Sequence, residues 1–246
     1  MTAPDWHEDD AFWEALAPAF AAPERARMAA TDVAAFVSLL GIQPDARVLD
    51  LAAGAGAHAV ELARRGFVVT GVDRTRAFLE RARAAAQAAQ VQVEWVEADM
   101  RGFSREGAFD AVVNLYTSFG FFENAADDLE VARNLRRSLK PGGVALLELL
   151  GKEIVAGQFR ERYWIEVDGE LFLEERKVAR DWEWLESRWI VVGEARREFR
   201  VRHRLYSGAE LRAKLHEAGF EKVELFGSFD AAPYDRAARR LVAVAR

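Results

Sequence analysis

The stretch VLDLAAGAGAHAVELARRG, Val48 to Gly66, decides how the whole chain is read. An apolar run ends in Asp50, two glycines follow at Gly54 and Gly56, and a helical pattern then continues to Gly66. Strand, tight turn and helix in that order open a βαβ unit. Its glycine turn lies where ligands approach the carboxyl end of a parallel sheet. Gly54, Gly56 and Ala59 fit G-x-G-x-x-A, with Asp73 about 20 residues on as a ribose acid, which is a dinucleotide fingerprint. A small-residue turn that merely packs a helix onto a strand is the competing reading.

Outward from this unit, strands and helices alternate. FVVTGVD, VQVEWVEAD, FDAVVNLY and VALLELL read as strands, and RAFLERARAAAQAAQ as a helix. A further helix is predicted over about Ala125–Leu139, capped by Asn124. Asp127 and Asp128 lie in its first turn and Arg133, Arg136 and Arg137 toward its end, as a helix dipole favours. Upstream, Phe12, Trp13, Leu16 and Phe20, then Val33, Phe36, Val37 and Leu40, repeat at helix spacing.

After about residue 160 the period changes. YWIEV, ELFLEERKV, WEWLESRWIVV and REFRVRHRLY follow one another across short polar breaks and read as antiparallel strands. SGAELRAKLHEAGF restores a helix, with a capping box at Ser207 and Glu210 and a stop at Gly219. KVELFG and RRLVAVAR are the last strands. This alternation predicts an α/β domain with a mostly parallel sheet and helices on both faces. Within 1–246, residues 1–40 are expected to form an N-terminal helical lid and 41–159 a cofactor-binding core. Residues 160–206 are expected to form an antiparallel β insertion that serves as substrate lid, and 207–246 the C-terminal helix and last two strands.

Composition narrows the class. With 246 residues, 51% hydrophobic and 30% charged, the chain can bury a large globular core. It has no cysteine, which excludes disulfides and thiolate metal sites; no metal is expected. MTAPDWHEDD lacks the features of a signal peptide, and the apolar run GGVALLELLG is interrupted by Glu148. A cytoplasmic protein without a membrane partner is the expectation. A formal charge of −6 argues against nucleic acid.

The carboxylates choose the ligand. Asp50 precedes the glycines, where it suits a cationic group and would repel a pyrophosphate. Asp73 ends the second strand, placed to accept ribose hydroxyls. Asp99 ends the third in EADM, placed to accept from an adenine amino group, with Met100 beside the ring. No lysine or arginine occupies the turn. An adenosine bearing a positive group and no phosphate fits, which is S-adenosyl-L-methionine.

On these motifs the chain resembles the class I S-adenosylmethionine-dependent methyltransferases, from about Arg47 to Leu150 plus the last strands. VLDLAAGAGAHAVELARRG is similar to the first family motif, GVDRT to the second and EADM to the third. FDAVVNLYTSFGFF and LRRSLKPGG are similar to the fourth-strand region and the turn before strand five. One departure is Ala52, where the family pattern D-x-G-x-G-x-G has its first glycine. The resemblance implies a Rossmann-like seven-stranded sheet of order 3-2-1-4-5-7-6 with RRLVAVAR inserted antiparallel. It also implies S-adenosyl-L-homocysteine as product. Asp50, Ala52, Gly54, Gly56, His58, Asp73, Arg74, Asp99, Met100, Asn114 and Tyr116 are the implied cofactor contacts.

The acceptor is read mainly from absences. NLYT, Asn114–Thr117, lacks the Pro-Pro turn of nucleobase amino methyltransferases, and without cysteine the C5-pyrimidine mechanism is impossible. NLYTSFGFF resembles small-molecule N- and O-methyltransferases, including the glycine/sarcosine and amino-sugar group. In some of those a histidine lies near the position of Phe121. Tyr116 and His203 are the candidates for substrate positioning or base. His203 falls on the apolar side of REFRVRHRLY, and Arg200, Arg202 and Arg204 fall on the other. Across 160–206 eleven acidic residues balance eleven basic ones, so a charge-paired face competes with an anion site there. Trp6, Phe12, Trp13 and Phe20 read as core or lid aromatics, one of which can face a cation. Methyl transfer to a small-molecule nitrogen or oxygen is the reading. An RNA or protein methyltransferase and a non-catalytic S-adenosylmethionine-binding module are alternatives, and a homodimer stays open.

Overall fold

The computed structural model describes residues 5–20 and 23–246, with residues 23–26 described by backbone alone. The expected lid over 1–40 therefore includes residues 1–4 and 21–22, which lie outside the described residues. In chain order, a short 3₁₀ turn (Trp6–Glu8), α1 (Asp10–Phe20) and α2 (Pro23–Leu40) precede β1 (Arg47–Leu51), α3 (Ala57–Arg64) and β2 (Val68–Asp73). Next come α4 (Arg76–Ala88), β3 (Glu94–Glu97), β4 (Phe109–Asn114), α5 (Ala125–Ser138), β5 (Leu139–Leu149) and α6 (Lys152–Gln158). β6 (Arg162–Val167), β7 (Glu170–Ala179), β8 (Trp184–Val192) and β9 (Arg196–Arg204) follow, then α7 (Gly208–Glu217), β10 (Val223–Phe226) and β11 (Leu241–Ala245).

Seven strands form one sheet of order β3-β2-β1-β4-β5-β11-β10. The pairs from β3 to β5 are parallel, and β11 runs antiparallel to both its neighbours. With the insertion strands set aside, this is the expected order 3-2-1-4-5-7-6. The sheet is buried on both faces because its strands send alternate residues to two separate cores. Val48, Val69, Ala111, Val113, Leu146 and Val244 pack with α2 and α3 on one side. Leu49, Leu51, Val112, Leu147, Ala243 and Ala245 pack with α5 and α7 on the other. The remaining strands form a separate antiparallel sheet, β6-β7-β8-β9. Phe172, Trp189 and Val191 on its inner face bury Phe12, Leu16 and Ala19 of α1.

The helix signals behave as read. Asn124 accepts a hydrogen bond from the Ala126 N–H at 3.1 Å, and Ser207 with Glu210 closes the capping box of α7. Gly66 and Gly219, where two helices were expected to stop, are both left-handed. Asp128 does more than complement a helix dipole: fully buried, it accepts from Tyr206 Oη at 2.7 Å and fastens α5 to the chain leaving β9. Two features were not foreseen. β5 begins at Leu139, five residues before the expected Val144, because Leu139 pairs with Phe109 ahead of an irregularity that takes up Pro141–Gly143. α6 is only seven residues long and contains Gly157; tertiary burial of Ile154 and Val155 holds it.

Trp95, on β3, lies against the two glycines that the first βαβ unit needs. A Cβ on Gly56 would stand 2.6 Å from the indole and 2.8 Å from Ala82 Cβ, and one on Gly71 would overlap the same ring. Gly71 has an ordinary φ, so packing alone dictates glycine there. Gly71→Ala is expected to destabilise the fold by about 1–3 kcal/mol, the usual range for overpacking. Trp95→Leu in the same chain should restore much of that loss, as read by urea unfolding.

Candidate active site

Parallel strands end together, so the chemistry-bearing residues of the main sheet collect at its carboxyl edge. A cavity of about 570 Å³ opens there and extends between the N-terminal segment and the inner face of the second sheet. Asp50, near the end of β1, is 2% exposed, and its Oδ2 has no hydrogen-bond partner among the described residues. Burial, reinforced by the nearby Asp73 charge and opposed by His58, pushes the Asp50 carboxyl up to about 6.

The turn beyond β1 alternates left-handed residues: Ala52 (φ 65°), Gly54 (φ 55°) and Gly56 (φ 81°). Asp73 braces this turn. Its two oxygens accept from the Gly54 and Thr75 N–H groups, each at 2.8 Å. Burial nevertheless holds the Asp73 carboxyl above its ordinary value. Ala52 occupies the left-handed position where the family pattern has glycine, at a cost a side chain imposes on that conformation. Among the described residues nothing lies within 4 Å of where a Gly54 Cβ would be, and Gly54 borders the cavity.

Asp99 and Met100 also line the cavity. Burial alone would raise the Asp99 carboxyl, but hydrogen bonds from Arg101 at 2.6 and 3.0 Å hold it below its ordinary value. Arg101 in turn binds Glu8 at 2.7 Å. Arg74 borders the cavity too, but its guanidinium donates to the carbonyls of His7 (2.9 Å) and Glu8 (3.2 Å) and to Asp10 (3.1 Å). The residues after the second and third acids thus tie residues 7–10 down over the cavity.

Two of the expected contacts stand behind the cavity wall. Gly56 faces Trp95 and Ala82. Asn114 is fully buried; its Nδ2 donates to the Leu51 carbonyl at 2.9 Å, which joins the ends of β1 and β4. Both support the turn instead of lining the space. His58 and Tyr116 do line it, with ring centroids 5.2 Å apart.

Tyr116 belongs to a buried charge network. Its hydroxyl donates to Asp32 at 2.9 Å, and its N–H donates to Glu148 at 2.7 Å. Arg240 reaches Asp32 at 3.3 Å and Glu148 at 3.6 Å, and His58 stands 3.7 Å from Asp32. Burial and the Asp32 charge keep the Tyr116 phenol protonated, so the role of base does not suit it. The network holds Tyr116 (φ 55°) and Thr117 (φ 61°) in consecutive left-handed conformations at the cavity wall. Non-glycine residues persist there only under such restraint.

The far half of the cavity is aromatic. Trp6, Phe12, Trp13, Phe20, Phe121 and Trp189 face it, with Trp6 and Phe121 centroids 4.9 Å apart. His203 borders it as well, as do Glu174 and Ser187, two residues the sequence reading did not single out. Neither stands out within its own strand; the signal appears when β7 and β8 are paired, which puts both on the face of Phe172, Trp189 and Val191. The arginine row on β9 is charge-paired. Arg200 pairs with Glu198, Arg202 with Glu123, and Arg204 with Glu183 and Asp128.

Residues 48–143 match the methyltransferase domain family. A ubiquinone biosynthesis O-methyltransferase of Xanthomonas campestris pv. campestris (strain B100) is 34% identical over 122 residues, 49% of this chain and 48% of the relative. The chain spans about half the length of the curated relatives it matches. Among solved structures, the CcbJ methyltransferase from Streptomyces caelestis aligns with a TM-score of 0.75 at 27% identity over 87% of this chain and 88% of its own. CalS10, an amino pentose methyltransferase from Micromonospora echinaspora solved with S-adenosylmethionine bound, aligns with a TM-score of 0.62 at 26% identity over 91% and 90%.

Two stability tests follow from this geometry. Ala52→Gly relieves a left-handed alanine and is expected to raise stability by up to about 1 kcal/mol, readable as a higher Tm. Asp50 has a folded value near 6 against an ordinary 3.8, so its ionisation opposes folding. That penalty is complete above pH 6 and gone below about pH 4. Asp50→Asn should therefore stabilise the ligand-free protein by about 2–3 kcal/mol at pH 7.5 and by nothing at pH 4, measured by urea unfolding.

Proposed function

From the premise that residues 48–143 are a methyltransferase domain on a class I S-adenosylmethionine-dependent methyltransferase fold, we propose that this chain methylates a nitrogen or oxygen of a small molecule. The observation that carries the proposal is the single cavity that joins the orphaned Asp50 carboxylate to an aromatic chamber under residues 6–20. S-adenosylmethionine, when bound, supplies a methyl group activated by a sulfonium. The residues at the sheet edge suit it: Asp50 is a buried acceptor awaiting a cation, and no cationic side chain in the glycine turn invites a phosphate.

In this reading Asp50 takes the ammonium of the methionyl part, and His58 stands at its carboxylate side. Asp73 accepts from the ribose hydroxyls with the lone pairs left by Gly54 and Thr75. Asp99 accepts from the adenine amino group, and Met100 packs on the ring. Ala52 and Gly54 let the backbone approach, and Tyr116 and Thr117 shape the wall where acceptor and methyl meet. Displacement at a methyl group requires alignment above all, so rigid walls and excluded water are the chain's main contribution. Trp6, Trp13 and Phe121, held over the cavity by the Arg74 and Arg101 contacts, supply that exclusion.

The acceptor is a small molecule in this proposal because its chamber lies beneath the N-terminal segment and the second sheet, and the arginines of β9 are neutralised by neighbouring carboxylates. Among the described residues no helix is long and apolar enough to cross a membrane. A cytoplasmic location belongs to the same proposal.

S-adenosylhomocysteine at a hundred times its Kd should stabilise the protein by about 2.7 kcal/mol, and NADH should not. Asp73→Ala should abolish most of that response. Release of S-adenosylhomocysteine is then measured over a panel of small amines, small hydroxy compounds, oligonucleotides and protein. Turnover with a small compound bears the proposal out. Stabilisation by NADH alone, or turnover only with nucleic acid or protein, overturns it.

A further inference from the structure

The inner face of the second sheet carries an island of polar groups where its register demands apolar ones. Pairing of β7, β8 and β9 places Phe172, Val191, Trp189, Phe199 and Val201 on that face, packed against α1. The same face carries Glu174, Arg176, Ser187 and His203. Glu174 is 6% and Ser187 5% exposed, so these groups are kept from bulk water. Buried polar groups on an apolar face persist when hydrogen bonds satisfy them.

The Glu174 bonds are arranged to leave something over. Ser187 Oγ donates to Oε1 at 2.7 Å, and Arg176 donates to Oε2 from Nε at 2.7 Å and from a terminal nitrogen at 2.5 Å. The carboxylate is thereby fixed and its charge balanced, while a lone pair of Oε1 remains unused. His203 Nε2 is buried and has no hydrogen-bond partner among the described residues. Both groups border the aromatic half of the cavity.

We infer that His203, Glu174 and Ser187 form a recognition site for a hydrogen-bond donor on the methyl acceptor, an N–H or O–H carried by an apolar frame, with His203 Nε2 as a neutral hydrogen-bond acceptor. The inference rests on the methyltransferase reading of the cavity. The frame must be apolar because Trp6, Trp13, Phe20, Phe121 and Trp189 surround the space. The donor is needed because, with the ring proton on Nδ1, Nε2 is an acceptor that nothing among the described residues meets.

His203 serves here as an anchor and not as a base. Burial, reinforced by the Arg176 charge, drives its imidazole down to about 4. Glu174 and Arg176 of β7 share its face of the sheet, and the other charged and titratable groups on the cavity wall are Asp50, Asp73, Asp99, His7, His58, Tyr116, Arg74 and Arg81. A general base works best with a value near the operating pH, and this one lies well below it. At neutral pH the ring therefore accepts a hydrogen bond and leaves the proton on its owner.

The test uses the full chain saturated with S-adenosylhomocysteine and three probes of similar size: benzylamine, benzyl alcohol and toluene. Calorimetric titration should show at least one of the two donors binding about tenfold more tightly than toluene, the factor expected of one well-placed hydrogen bond. The better donor assigns the acceptor group as amine or hydroxyl. The preference should vanish in His203→Leu and largely return in His203→Gln, whose amide oxygen can accept in place of Nε2. On binding, the ¹⁵N resonance of His203 Nε2 should shift as an accepting, unprotonated nitrogen does. Equal binding of all three probes, a preference that survives His203→Leu, or protonation of Nε2 on benzylamine binding would each overturn the inference. Failure of S-adenosylhomocysteine to stabilise the wild-type protein would instead sink the methyltransferase reading, which separates the two failures.

Discussion

Two hydrogen bonds to Asp73, from the Gly54 and Thr75 N–H groups, couple the turn that leaves β1 to the turn that leaves β2. The β1 turn is irregular, with left-handed residues at every second position; its Ala53 N–H donates to the Val72 carbonyl of β2 at 2.9 Å. The Asp73 carboxylate takes the next N–H, that of Gly54, where the strand has ended. The same oxygens then face the cavity, so the group that stabilises the turn also defines what binds above it. Trp95 seals the turn from below, where Gly56 and Gly71 leave room for nothing larger than hydrogen.

The other side of the cavity depends on charges removed from water. Asp32 and Glu148 form a buried cluster bridged by Arg240, and Tyr116 is bound to it through both its hydroxyl and its backbone N–H. Removing one partner of such a cluster is costly because it leaves an uncompensated charge. That cost is what keeps Tyr116 and Thr117 in a conformation few side chains adopt. Asp50 is the exception: it is buried beside another carboxylate with no cation of its own. A residue that opposes folding in this way is best explained by a ligand that relieves it.

Much of this was legible along the chain. The apolar runs of β1, β2, β4 and β5 read as buried strands because both faces of the sheet are covered. Asn124 and the Ser207–Glu210 pair marked helix starts because capping is a local hydrogen bond. His203 was legible by its place in an alternating strand. What escaped has long-range causes. α6 exists because Ile154 and Val155 find a core. Asn114 and Gly56 lie behind the cavity because their neighbours come from β1, β3 and α4. Glu174 and Ser187 became noticeable only when three strands were laid side by side, since neither is unusual within its own strand.

The sequence by itself determined the alternation of elements, the edge at which three acids end three strands, and the cationic adenosine ligand those acids suit. These depend on period, turn chemistry and charge, all of which are properties of short segments. The tertiary structure alone decided which side chains are left for chemistry. Arg74 and Arg101 are bound to the N-terminal segment, the Tyr116 hydroxyl belongs to Asp32, and the His203 imidazole is held neutral by burial beside Arg176. The physical reason is that a group's availability and protonation depend on what surrounds it in space, and those surroundings come from residues far apart along the chain.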